Sequence, residues 1–179
     1  FVRFTGEQYL DVFVDDFSRA LRLRDAAHAW VVSQHVGAAG DSAKGIYLAH
    51  NVHVAKAQSR IVPPNPEINH WVAAISTGEY LRGQYGRAYR AIAVTGYHVW
   101  GDGNTEYPVP RVNDSLDWAL AQLGDRLLLD IDAPMLNAFS TWWMHNEHLV
   151  NGTYLVPREQ YDGVVFIKDS PVAQAWVSR

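Results

Sequence analysis

The spacing of apolar residues changes period along this chain, and that change constrains the fold more than any other feature. Between Glu7 and Phe17 the apolar side chains are Tyr9, Leu10, Phe13, Val14 and Phe17, the repeat of one helix face. In Arg24–Val36 the residues Ala27, Trp30, Val31 and Gln34 recur about one turn apart, which predicts a second helix. Gly37–Gly45 reads as a small-residue loop and Lys44–Ala49 as a strand. Asn51 is placed to cap a helix running through Ala57 to about Arg60, ended by Pro63-Pro64-Asn65-Pro66.

The later sequence is strand-like. Phe1–Thr5 is a short opening strand, but His70–Ser76, Tyr89–Val99 and Val164–Lys168 follow in the second half. Gly101-Asp102-Gly103-Asn104 is a turn. Ser115 caps a helix over Leu116–Leu123 that Gly124 stops, and Pro134–Trp143 reads as a further helix. Helices early and strands late predict an α+β fold rather than a regular βαβ alternation. With no repeat or linker, residues 1–179 are expected to form one domain.

Composition excludes several classes. A hydrophobic fraction of 48% is enough for a core, and a net charge of −4 without a basic run disfavours nucleic acid as a partner. No apolar run approaches the roughly 20 residues of a membrane span. Cysteine is absent, so disulfides, thiolate catalysis and cysteine-bound zinc are ruled out. No signal peptide is visible, and an opening on strand-like Phe1-Val2-Arg3-Phe4 suggests a processed product. Asn113-Asp114-Ser115 and Asn151-Gly152-Thr153 fit the glycosylation sequon, a pattern common by chance. The 7 Trp and 9 Tyr serve either core packing or an aromatic cleft for a flat or sugar-bearing ligand.

Chemistry is hinted at most clearly near the end. Trp142-Trp143-Met144-His145-Asn146-Glu147-His148 sets a carboxylate among aromatics and histidines, ahead of a Pro157-initiated polar stretch and a β-branched run. A lone Glu there is otherwise a helix-end or surface residue. Two His-x-x-His pairs, His50 with His53 and His145 with His148, lie on one face if helical and could ligate zinc. No His-Glu-x-x-His motif occurs, and Gly37–Gly45 lacks the order of a phosphate loop.

Read in order, these landmarks resemble the ADP-ribosyltransferase toxins of the pertussis and cholera enterotoxin A-subunit type. The aromatic-Arg strand is matched by Phe1-Val2-Arg3. The next segment is matched by Asp11–Phe17, without its Pro and with Asp16 in place of its Gly. Asp25 and His28 match an Asp and a His on a helix. Gly45–His50 matches a strand before a helix, with Leu48-Ala49-His50 where the family has Ser-Thr-Ser. In a second register Ala74-Ile75-Ser76-Thr77 is that strand and Tyr89-Arg90-Ala91-Ile92 the one after it. His145-Asn146-Glu147 matches the acidic pair, with His145 replacing its first member.

The resemblance implies two small mixed or antiparallel sheets forming a central cleft, flanked by helices. It implies a secreted toxin or effector that binds NAD and moves ADP-ribose to a protein acceptor in a target cell, with a companion delivery domain or subunit. Glu147 would face the oxocarbenium-like transition state, with His145 beside it as base or donor. Arg3 would anchor the dinucleotide phosphates, and Ser76, Thr77 or His50 would brace the Glu. Two further readings stand beside this one: an inactive member acting as a binding module, and a histidine-metal hydrolase.

Overall fold

The computed structural model describes residues 16–62, 74–99, 115–131, 142–146 and 150–170. Helix α1 spans Phe17–Ala38, starting earlier than apolar spacing alone predicts. The cause is Asp16, whose Oδ1 accepts the Arg19 amide at 2.9 Å and caps the helix. Phe17 therefore opens this helix instead of closing the one expected over Glu7–Phe17, whose residues before Asp16 lie outside the described ones. Gly40, with φ +92°, makes the turn that follows.

Lys44–Ala49 is not part of a ladder, although its alternating pattern reads as a strand. A strand is defined by a partner, and among the described residues none pairs with it. Helix α2 covers only Asn51–Val54, and its cap is His50, not Asn51: His50 Nδ1 accepts the Val52 amide at 3.4 Å. A single turn at Gln58–Arg60 follows, so the longer helix expected to Arg60 is broken at Ala55.

Helix α3 spans Thr77–Tyr85, between the segments His70–Ser76 and Tyr89–Val99 that the pattern reads as strands. Ser76 caps it, its hydroxyl oxygen accepting the Glu79 amide at 3.1 Å. Ser76-x-x-Glu79 carries the residues of a capping box, though the Glu79 carboxylate turns to the Ser59 amide and hydroxyl instead. Strand β1 covers Ile92–Val99. Helix α4, Leu116–Leu123, has the expected Ser115 cap, which accepts the Trp118 amide at 3.0 Å. Strands β2 (Arg126–Asp130), β3 (Trp142–Asn146) and β4 (Val150–Leu155) come next, then the short helix α5 (Pro157–Gln160) and β5 (Gly163–Ser170). Trp142 and Trp143 thus lie in a strand, not at the end of a helix.

One sheet has the order β1-β5-β2, with β1 parallel and β2 antiparallel to β5; β3 and β4 form a two-stranded antiparallel sheet. The first sheet packs one face, through Ala93, Val164 and Phe166, into a core with Leu116 and Leu120 of α4. Thr95 and Asp117, both buried, satisfy each other by a hydrogen bond across that interface. No described helix is long and apolar enough to cross a membrane.

Candidate functional site

A cluster of polar side chains forms where α1, α2, the segment before α2, and the start of α3 meet. Arg24, Asp25 and His28 come from α1, whose period sets residues three and four apart on one face. Asp25 is only 3% exposed and Thr77 is fully buried. Asp25 Oδ1 accepts from His53 Nδ1 at 2.8 Å, from the Thr77 amide at 2.8 Å and from the Thr77 hydroxyl at 2.9 Å. Burial works against the charge of Asp25, but the hydrogen bond and field of His53 and the two donors of Thr77 outweigh it. The carboxyl is held below its usual range.

His53 is fixed at both ring nitrogens. Arg24 Nη2 lies 2.9 Å from Nε2, and a guanidinium has only protons to offer, so Nε2 is the acceptor. The ring proton then sits on Nδ1, facing Asp25. In this tautomer the Nε2 lone pair points toward Arg24, with the His53 side chain 23% and the Arg24 side chain 33% exposed. Tyr47 Oη stands 3.3 Å from His28 Nδ1 at the margin of the cluster. Burial raises the Tyr47 phenol above its usual value, and burial lowers His28, with Arg24 and His53 adding to that against Asp25.

Helix α2 is too short to hold itself, so its position is imposed by neighbours. The Asn51 side chain pairs with both main-chain groups of Val94 in β1, at 2.7 and 3.0 Å. The Tyr89 hydroxyl donates to the Val54 carbonyl at 2.7 Å and the Ser76 hydroxyl to the Ala55 carbonyl at 2.8 Å. Gln160 binds the main chain of Lys56 and Ala57, and Lys56 Nζ reaches Asp162 at 2.9 Å. Gly78 lies directly under this segment: a Cβ there would fall 2.3 Å from the Val54 carbonyl oxygen. His53 is therefore held by bonds to the residues around it, from β1, α3, α5 and the turn after α5.

Of the residues singled out from sequence, Asp25 lies at the centre of this cluster, His53 and Thr77 are its direct partners, and His28 stands at the margin. Ser76 is a buried cap that also ties α3 to Ala55. His50 caps α2, and among the described residues no group of three or more His, Asp or Glu could hold a metal ion. His145 falls in β3, while Arg3 and Glu147 lie outside the described residues. Arg24, which holds the imidazole lone pair, carries no sequence signal beyond its place beside Asp25 on a helix.

Residues 5–170 match the family model described as Erythromycin esterase. A comparison with curated proteins gives no match. Among solved structures, a mutant of the erythromycin esterase EreC in its open conformation aligns at 22% identity and TM-score 0.61, over 93% of this chain and 45% of that one. A succinoglycan biosynthesis protein aligns at 18% identity and TM-score 0.63, over 86% of this chain and 40% of that one. A Bacillus cereus protein aligns at 15% identity and TM-score 0.50, over 67% of this chain and 32% of that one. These likenesses concern the fold, and the chain spans less than half the length of each neighbour.

The match overturns the resemblance to ADP-ribosyltransferase toxins, and with it NAD as substrate, ADP-ribose transfer to a protein acceptor, and the inactive toxin-like effector. The physical reason is local. Among the described residues Lys44–Ala49 has no ladder partner, Ser76-Thr77 opens a helix instead of ending a strand, and Tyr89 precedes β1. Landmarks a few residues long matched a type of residue but not the element that carries it.

Proposed function

The chain belongs to the erythromycin esterase family, and we propose that it supplies the general base of an ester-hydrolysing site, with His53 as the base, Asp25 as its orienting carboxylate and Arg24 as the cation that meets the developing oxyanion. The observation that carries this reading is the relay Asp25–His53–Arg24, in which a buried carboxylate fixes the tautomer of a partly exposed imidazole whose lone pair faces a guanidinium.

In this reading the ester carbonyl oxygen takes the place of the imidazole as partner of Arg24. His53 Nε2 accepts a proton from a water, and the water oxygen bonds to the carbonyl carbon. The negative charge gathered on the carbonyl oxygen is stabilised by Arg24. The bond to the alcohol oxygen then breaks, and that oxygen takes the proton back from Nε2. Products are a carboxylic acid and an alcohol, with one water consumed. Thr77 holds Asp25 through two donors, so the carboxylate does not rotate as the imidazole gains charge.

The family name makes the macrolactone ester of erythromycin the first substrate to try. Hydrolysis of that lactone and of a simple aryl ester is measured for wild type and for His53→Asn. Losing a general base costs roughly 10²–10⁴-fold in rate. Equal rates for the two proteins would overturn the assignment of His53, and absence of hydrolysis by wild type would overturn the activity.

A further inference from the structure

Arg24 Nη2 and His53 Nε2 face each other at 2.9 Å with one proton between them, given by the guanidinium. That contact holds only while Nε2 keeps its lone pair. A proton on Nε2 sets two donors and two positive charges against each other. Asp25 relieves this only in part. Its Oδ1 already accepts from His53 and from the amide and hydroxyl of Thr77, and its Oδ2 lies 3.5 Å from Arg24 Nη2. Two opposed cations on partly exposed side chains favour an anion between them.

His53 is the fixed member of the pair and Arg24 the movable one. His53 sits on α2, which Asn51 ties to β1 and whose carbonyls accept from Tyr89 and Tyr161. Its Nδ1 is bound to Asp25. Arg24 is a long side chain whose partners among the described residues are His53 and Asp25, and its Nε is buried there without a hydrogen-bond partner. A carboxylate binds a guanidinium along such an edge, with Nε and Nη2 side by side, so turning Arg24 onto one satisfies the orphaned donor. The other titratable groups around His53 do not compete for this place. His50 accepts the Val52 amide, Lys56 is committed to Asp162, and His28, beside Tyr47, repels a cation at His53.

We propose that Arg24 and His53 form a carboxylate-binding site that opens when Nε2 takes up a proton, and that its ligand is the acid released by ester hydrolysis. The acid formed in the reaction gives its proton to Nε2 and becomes a carboxylate, so protons and charge balance. One carboxylate oxygen accepts from Nε2–H and the other from the guanidinium. Loss of the Nε2 proton to water restores the lone pair. Arg24 returns to it, and the carboxylate, deprived of a donor, leaves. Arg24 thereby acts twice, on the carbonyl oxygen during hydrolysis and as the group that displaces the product afterwards. The identity of the acid rests on the hydrolytic reading, whereas the site itself rests on the geometry of Arg24 and His53.

Acetate is titrated into the 179-residue chain while the His53 ring nitrogens and the Arg24 Nε–H are followed by NMR. The titration is repeated between about pH 5 and 8, the interval in which histidine changes charge. Sodium chloride at matched ionic strength and acetamide, a neutral isostere, are the controls. Acetate is expected to bind best at the acid end, moving the His53 Nε2 and Arg24 Nε–H signals together. Its affinity is expected to fall about tenfold per pH unit once Nε2 is deprotonated, because binding takes up one proton. Arg24→Gln is expected to abolish binding and Arg24→Lys to weaken it, each with His53 Nδ1 still bonded to Asp25 as the sign of an intact fold. Affinity independent of pH, binding retained by Arg24→Gln, or equal effects of acetate and chloride would overturn the site. Hydrolysis of an aryl acetate, whose acid product is acetate, is assayed in parallel, and acetate is expected to inhibit it more strongly at lower pH. Acetate binding without that hydrolysis would overturn the assignment of the ligand as a product and leave the carboxylate site standing.

Discussion

His53 Nδ1 lies 2.8 Å from Asp25 Oδ1, and 28 positions of sequence separate the two residues. Asp25 is among the most buried polar groups of the described chain, while His53 reaches solvent. The pair links the interior of α1 to the imidazole whose Nε2 Arg24 contacts. In the hydrolytic reading Asp25→Asn keeps the shape and removes the charge that sets the ring proton on Nδ1. Ester hydrolysis is expected to fall by about 10²-fold or more with little change in KM. An imidazole tautomer unchanged by nitrogen NMR, with full activity, would show that Asp25 does not orient His53.

Thr77 supplies two of the donors to Asp25 and is fully buried. Thr77→Val keeps the volume and the amide but removes the hydroxyl, and the carboxylate loses one donor without access to water. A loss of about 1–3 kcal/mol in unfolding free energy is expected from chemical denaturation. Thr77→Ser should recover most of it.

Gly78→Ala is expected to cost more than its single methyl group would in an open site. The added Cβ would meet the main-chain carbonyls of Val54 and Ala55 at 2.3 and 2.7 Å, and neither belongs to a flexible side chain. Relief requires α2 to move off α3, which also displaces His53. We expect about 2 kcal/mol or more of destabilisation by denaturant melts, together with lost activity in the protein that remains folded.

Asp162 ties the end of α5 to two other segments. Its Oδ1 accepts from Lys56 and Arg90 at 2.9 Å each, and its Oδ2 from the Ala91 amide at 2.8 Å. Burial raises its pKa, but the Ala91 amide and the two cations outweigh that, so the folded value lies below the unfolded one. The sign follows: this contribution is complete above the unfolded value near pH 4 and is lost as pH falls through the lower folded value. Asp162→Asn should therefore cost about 1–2 kcal/mol at neutral pH and little in strong acid. Melting temperature against pH would give parallel curves for the two proteins if the carboxylate made no such contribution.

His28 is expected to titrate below the usual histidine range, since burial and the neighbouring Arg24 and His53 disfavour its cation against Asp25. The neutral form is then favoured on folding, so its contribution is retained above the unfolded value near 6.5 and declines as pH drops toward the folded value. Ring-proton NMR of His28 gives the midpoint directly, and a midpoint above 6.5 would reverse the sign. Tyr47→Phe, which removes the hydroxyl 3.3 Å from His28, tests whether that contact takes part.

Several elements were readable without coordinates because their signals are local. Ser115 and Gly124 bracket α4 by capping chemistry, and the β-branched run Val164–Lys168 falls inside β5. The start of α1 was equally local, since Asp16 carries the cap, but the apolar spacing before it drew the boundary elsewhere. Ser76-x-x-Glu79 held the signal for α3 and was read as the end of a strand. Lys44–Ala49 failed for another reason. Alternation shows that a segment suits a strand, whereas pairing depends on whether a partner is present.

What the sequence determined by itself is the set of short-range elements, the apolar pattern that buries one sheet face, and membership of the erythromycin esterase family across residues 5–170. It also held every residue of the candidate site, with Asp25 and His28 one helical turn apart and His53 after a capping His50. What only the tertiary structure decided is which of those residues meet. Asp25, His53 and Thr77 come from three helices, and the bonds between them span 28 and 52 positions. Helical period fixes neighbours within about four residues. Contacts across such distances are set by how Gly78 lets α3 approach α2, and by Asn51, Tyr89 and Gln160 holding a one-turn helix that could not hold itself.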